Sequence, residues 1–129
     1  MLNESVNPLF YLYQNYYEGI RAANFFLDYV ADGKGEALLA ENRNLITDAT
    51  NYQRDLESLK WFKAEAHVAR AYYYAELIKM FGGVPIVESH TDDGQMIARS
   101  SYEEVVEYIV KEIDDHKADL ALNWNDFSE

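Results

Sequence analysis

Apolar side chains recur at alternating spacings of three and four through the first quarter of the chain: Phe10, Tyr13, Tyr17, Ile20 and Leu27, with Asn24 on the same line. That period turns one face of an α-helix towards a core and predicts a helix from position 8 to about 31. Pro8 suits its first turn, and Gly33, within Asp32-Gly33-Lys34-Gly35, lies just past its end. From position 35 to 51 the period fades. Glu36 to Ala40 could form a short helix, but Asn42, Asn44, Thr47, Asp48, Thr50 and Asn51 favour turns and caps, so the stretch reads as an irregular connection.

Residues 52–81 contain neither Gly nor Pro, and Leu59, Phe62, Ala66, Ala69, Tyr73, Leu77 and Met80 share one face, which predicts a single long helix. Ala64, Ala66, Ala69, Ala71 and Ala75 keep its middle slim, so neighbouring helices can approach closely. Gly82 and Gly83 stop it with positive φ, and Val84-Pro85-Ile86-Val87 is an extended exit or edge strand. After a polar loop at 90–94, Ser100 or Ser101 with Glu103 or Glu104 three residues on reads as a capping box. It opens a last helix to about position 122, closed by Asn123-Trp124-Asn125-Asp126. Tyr102, Val105, Ile109, Ile113 and Leu120 form its apolar face, and Glu107 with Lys111 an ion pair on the wet side. The pattern as a whole is all-α: a small-residue helix against an aromatic one, in the packing style of tetratricopeptide-like helical repeats, with short extended segments.

Length and charge narrow the function. At 129 residues the chain has the size of one domain. Lys plus Arg number 11 against 23 Asp plus Glu, a net charge of -12 that repels phosphate backbones and anionic membrane surfaces, so nucleic acid is an unfavourable partner. With no cysteine, disulfides, thiolate metal sites and a lipidated cysteine are all excluded within these residues. Aromatic residues make up 15%, including 11 Tyr, more than core packing needs, which points to aromatic surface facing a partner or a sugar.

The residues offer little chemistry. His67, His90 and His116 fall in no three-ligand spacing, and no metal site is expected. Glu112 and His116 stand four apart, but on so acidic a helix they read as an exposed carboxylate beside a histidine. His90 with Asp92 and Asp93 lacks the ordered spacing of a calcium loop. No nucleophile elbow, phosphate loop or dinucleotide fingerprint occurs, and no acidic pair is singled out, so neither a cofactor nor enzymatic activity is expected. Tyr72-Tyr73-Tyr74 spreads around a helix and reads as packing, whereas Trp61 and Trp124, each beside polar residues, can stack on a ligand or pack.

Residues 64–87, Ala-Glu-Ala-His-Val-Ala-Arg-Ala-Tyr-Tyr-Tyr-Ala-Glu-Leu-Ile-Lys-Met-Phe-Gly-Gly-Val-Pro-Ile-Val, resemble a helix of the SusD/RagB family of nutrient-binding outer-membrane lipoproteins of Bacteroidetes. The family pattern there is approximately G-E-A-x-F-L-R-A-x-Y-Y-x-x-L-x-x-x-F/Y-G-G-V-P-L. Ile20-Arg21-Ala22-Ala23-Asn24-Phe25-Phe26-Leu27 is similar to its I-R-x-A-N-x-F-L, and Arg99-Ser100-Ser101-Tyr102-Glu103-Glu104-Val105 to its R-x-S-x-x-E-V. His67 and Val68 replace the usual Phe and Leu, and Ala64 the usual Gly. The motif positions Asn24, Glu65, Arg70, Gly82, Gly83, Pro85 and Arg99 read as structural: a mid-helix Asn and a guanidinium among Ala and Tyr both need partners.

The resemblance implies a tetratricopeptide-like protein of several hundred residues, of which positions 1–129 form one helical domain at the N-terminal side. It further implies a surface-exposed lipoprotein of the outer membrane, its lipid anchor lying outside this chain. Such a protein binds an oligosaccharide or peptide nutrient without catalysis and delivers it to a SusC-like TonB-dependent transporter. Any ligand contact within this chain is expected first at residues 3–13, with Phe10 and Tyr13, then at Trp61 and Trp124. The alternative is a free-standing tetratricopeptide-like module whose Tyr-rich groove holds a peptide or partner protein.

Overall fold

The computed structural model describes residues 9–94 and 96–121. Its helices are α1 (Leu9–Tyr29), α2 (Lys34–Glu41), α3 (Ala49–Phe81) and α4 (Tyr102–His116), followed by a 3-10 turn, Lys117–Asp119. No strand occurs among the described residues, and none of their helices is long and apolar enough to cross a membrane. Pro8, Leu122 and Trp124 lie outside the described residues.

The long α3 is the spine: α1, α2 and α4 each pack against it. Ile20 from α1, Tyr74, Leu77 and Ile78 from α3, Val84 from the extended exit and Val105 from α4 form the buried cluster. Full burial of a large apolar side chain contributes roughly 1.5–3 kcal/mol, so these positions carry much of the hydrophobic stabilisation. The α1 stripe points inward as its period predicts, but the faces of the other two long helices are turned. On α3 the buried residues are Ala64, Arg70, Ala71, Tyr74, Leu77 and Ile78, whereas Phe62 and Met80 are exposed. On α4, Val105 and Glu112 are buried, whereas Tyr102 and Ile113 are exposed. A helix gripped from several sides buries more than one stripe, and a single-face template then misplaces its edges.

The connection read as irregular contains α2. Gly35 lies where a Cβ would come within 2.9 Å of Leu59, so the helix seats directly on α3, and Glu36 pairs with Lys63 at 3.2 Å. Asn44 then caps a turn by accepting from the Ile46 and Thr47 amides. Arg43 donates to Asp48 and Asp55, each at 2.8 Å, fastening the turn to the start of α3 three residues before the expected one.

The capping box of α4 forms between Ser101 and Glu104. That helix ends at His116 rather than near position 122: Asp114 and Asp115 put negative charge at the negative end of the helix dipole, and the chain tightens into the 3-10 turn. Lys111 pairs with Asp115 rather than Glu107, which carries its charge towards that same end.

The two glycines after α3 serve different purposes. Gly82 has φ 68° and ψ -141°, a region costly for any residue with a Cβ. Gly83 does not have the positive φ expected of it; a Cβ there would lie 2.1 Å from the Ser100 carbonyl oxygen. The close approach of the two strands of loop, joined by Ser100 N–H donating to the Val84 carbonyl at 3.0 Å, is what requires it.

Candidate functional site

A groove of about 590 Å³ runs between α1 and the segment after α3, within the size range of small-ligand sites. One wall is a face of α1, where Phe10, Tyr13, Gln14, Tyr17, Arg21 and Asn24 recur at helical spacing. The other is the extended segment and the loop beyond it, with Pro85, Val87, Ser89, His90, Asp92, Asp93 and Gly94.

An extended segment outside a sheet leaves its backbone groups to be satisfied by side chains. Three α1 residues, at spacings of seven and four, share that task. The Tyr17 hydroxyl donates to the Pro85 carbonyl at 2.6 Å, and the Asn24 amide to the Val87 carbonyl at 2.8 Å. Asp28 accepts from Ser89 Oγ, from the His90 amide and from His90 Nδ1 at 2.9, 2.9 and 2.6 Å. Tyr74 completes the strap, its hydroxyl accepting from the Val87 amide at 2.7 Å and donating to the Val87 carbonyl at 3.2 Å. Burial pushes the Tyr17 and Tyr74 phenols well above their ordinary range, so both remain neutral donors. The hydrogen bonds from the His90 side chain and amide hold the Asp28 carboxyl below its usual range. His90 is therefore committed to α1.

Beneath the strap lies a buried polar cluster. Arg70, on α3, donates from Nε and Nη2 to the two oxygens of Glu112 on α4 at 2.6 and 3.0 Å. Its Nη1 donates to Asn24 Oδ1 at 2.8 Å, which leaves the Asn24 amide free to reach Val87. Tyr108 donates to Glu112 at 2.8 Å, and His67 Nδ1 lies 2.8 Å from the same carboxylate. Glu112 is thus no exposed carboxylate but 8% exposed, the counter-ion of a buried guanidinium. Desolvation alone would raise its pKa. Hydrogen bonds from His67 and Arg70, the Arg70 charge and Tyr108 outweigh that and hold it at about 2. This cluster fixes α1, α3, α4 and the extended segment against one another, and so sets the width of the groove.

What the groove can do follows from its lining. Tyr13 is braced, its ring 4.8 Å from Tyr17 and edge-on to Phe81 at 5.1 Å, and Phe10 sits half-buried a turn towards the N-terminus. Exposed Gln14 and Arg21 on one wall, and exposed Asp92 and Asp93 on the other, can donate to and accept from hydroxyl groups. Flat aromatic faces beside planar polar groups suit a ligand with an apolar face and a polar rim, as a pyranose ring has.

Of the residues singled out in the sequence, Phe10 and Tyr13 line this groove together with the structural Asn24 and Pro85. Trp61 is half-buried on α3 and does not line it. Glu65 is half-buried on α3, where desolvation raises its carboxyl pKa, and Arg99 is exposed before α4, close enough for its charge to act on Tyr17. Trp124 and residues 3–8 lie outside the described residues. Gln14 and Asp28 carry no sequence signal beyond facing the same way as Tyr17, Arg21 has only its place in the I-R-x-A-N-x-F-L resemblance, and the second wall becomes visible only once the strap is known.

The family model described as SusD-like, starch-binding associating with outer membrane, matches residues 3–128. No curated protein and no solved structure gives a significant match.

Proposed function

The chain belongs to the SusD-like family of starch-binding proteins that associate with the outer membrane, and on that premise we propose that the α1 groove is a subsite for an oligosaccharide. Sugar rings stack on Phe10 and Tyr13, while Gln14, Arg21, Asp92 and Asp93 bond the hydroxyls. The role is binding without catalysis, and the bound glycan passes to a SusC-like TonB-dependent transporter at the cell surface. The chain acts as the helical scaffold of a longer receptor. Its many large apolar side chains at the surface, among them Phe25, Phe62, Tyr72 and Val110, favour further helices packed on it. The observation that carries the reading is the braced aromatic wall of Phe10 and Tyr13 facing exposed polar groups across an open groove.

Calorimetric titration with malto-oligosaccharides tests it. Saturable binding is expected, weakened about fivefold to thirtyfold in Phe10→Ala and in Tyr13→Ala, the range for losing an aromatic anchor worth about 1–2 kcal/mol. Trp61→Ala should bind like the unaltered chain. Binding lost in Trp61→Ala but kept in both groove variants would move the site to α3, and absence of glycan binding with saturable peptide binding would replace the ligand class.

A further inference from the structure

We propose that His67, Glu112 and His116 form a site for a divalent transition metal at the seam between α3 and α4. The folded chain brings together what the linear spacing does not: Glu112 and His116 are one turn apart on α4, and His67 meets them from α3. One ligand atom from each lies within 4.8 Å of the other two. Their imidazoles are parallel, with centroids 3.5 Å apart, and both address the same carboxylate oxygen, Glu112 Oε1: His67 Nδ1 at 2.8 Å and His116 Nε2 at 3.9 Å. A tetrahedral ion with bonds of about 2.0–2.2 Å needs its ligand atoms about 3.4 Å apart, and an imidazole lone pair lies in its ring plane, so the two rings must turn out of their parallel stack to converge on one ion beside Oε1.

The surroundings supply what such a set requires. Glu112 is oriented from behind, with Oε2 accepting from Arg70 Nε and from Tyr108, so that Oε1 is the oxygen turned to the imidazoles. Arg70 Nη2 also donates to Oε1 at 3.0 Å and lies 3.3 Å from His67 Nδ1. A ligating carboxylate held in this way by outer hydrogen bonds is a common feature of metal centres. In front, a cavity of about 410 Å³ lined by both histidines, Glu36 and Asp119 opens to solvent and gives room for a water as fourth ligand. The Arg70 guanidinium is matched by the Glu112 carboxylate, and the net charge of -12 favours a cation. Two acceptor atoms 2.8 Å apart must share a hydrogen, so His67 carries it on Nδ1; as the metal takes that nitrogen, the neutral ring shifts its hydrogen to Nε2 through solvent and no net proton is released. Imidazole and carboxylate ligands with an open position suit zinc, with copper and nickel as competitors.

The test is calorimetric titration of the whole chain with zinc chloride, repeated on His116→Gln, His67→Gln and His90→Gln, with a thermal melt of each variant in chelator. One saturable site is expected, weakened by about tenfold or more in His116→Gln and in His67→Gln, since changes even outside the ligand set cost about 10–100-fold. His90→Gln, whose ring is bonded to Asp28, should bind like the unaltered chain. Zinc should raise the melting midpoint of the unaltered chain but not that of His116→Gln. His116 makes no contact with Arg70, so that variant stays folded and decides the matter even where His67→Gln does not. Lack of saturable binding, or zinc affinity unchanged in His116→Gln, would overturn the site.

Discussion

Replacing Arg70 by Ala is expected to destabilise the chain by about 3–5 kcal/mol, the range for breaking one side of a buried ion pair. The guanidinium side chain is 6% exposed and the Glu112 side chain 8%, so the carboxylate left behind can recruit little water. Two further bonds suffer with it: Asn24 loses its donor, and without that donor the amide that holds the Val87 carbonyl is no longer oriented. Urea unfolding followed by circular dichroism reads the loss directly. The double variant Arg70→Met/Glu112→Leu should recover part of it, because no charge is then stranded in the interior. A single variant within about 1 kcal/mol of the parent would mean that water reaches the pair, against the burial seen here.

The same pair sets an acid limit. The Glu112 pKa is about 2 in the folded chain against an ordinary 4.5, so the folded state binds its proton more weakly than the unfolded state does. Its contribution is complete above about pH 4.5 and is lost as the pH falls from there through about 2. Arg70→Ala should flatten that limb of the stability profile.

Gly83→Ala is expected to cost about 3 kcal/mol, at the upper end of ordinary single substitutions. The added Cβ would meet the Ser100 carbonyl oxygen at 2.1 Å and two backbone carbons, of Ser100 and Ser101, at 3.1 Å. Backbone cannot swing aside as a side chain can. Relief requires parting the two segments, which breaks the Ser100–Val84 hydrogen bond and loosens the capped start of α4. Gly19→Ala is a useful contrast, because the atoms its Cβ would strike, at 2.5–2.9 Å, all belong to the Tyr73 ring. That ring is half-buried on α3 and its struck atoms are the far end of a side chain rather than backbone, so the cost there should be smaller. Thermal denaturation of the two variants side by side measures the difference.

How far the sequence could be read depended on the range of the interaction. The α1 stripe, the Ser101–Glu104 box and the extended exit at Pro85 are local patterns found where the period or cap places them, and the long α3 is present too, although it starts three residues earlier and turns a different face inward. Residue type alone showed that Arg70 and Asn24 need partners. It could not show which, because Glu112 lies 42 residues from Arg70 and looks, beside His116 on an acidic helix, like any solvated carboxylate. Its burial depends on the rotation of α4 against α3. The groove was half legible for the same reason: Phe10 and Tyr13 share the α1 period, whereas Asp92 and Asp93 join them only after Tyr17, Asn24 and Asp28 have folded the strap back onto α1. The two glycines show the limit again, since a helix stop was readable but the close approach of Ser100 to Gly83 was not.

The most direct test of the account is to map malto-oligosaccharide binding on the isotopically labelled chain by amide chemical-shift perturbation. Shifts are expected to concentrate on the exposed face of α1 from Phe10 to Arg21 and on the loop from Ser89 to Gly94, with the α4 amides near Val110 unmoved. Shifts centred on Trp61 or the outer face of α4, or none at saturating glycan, would contradict it.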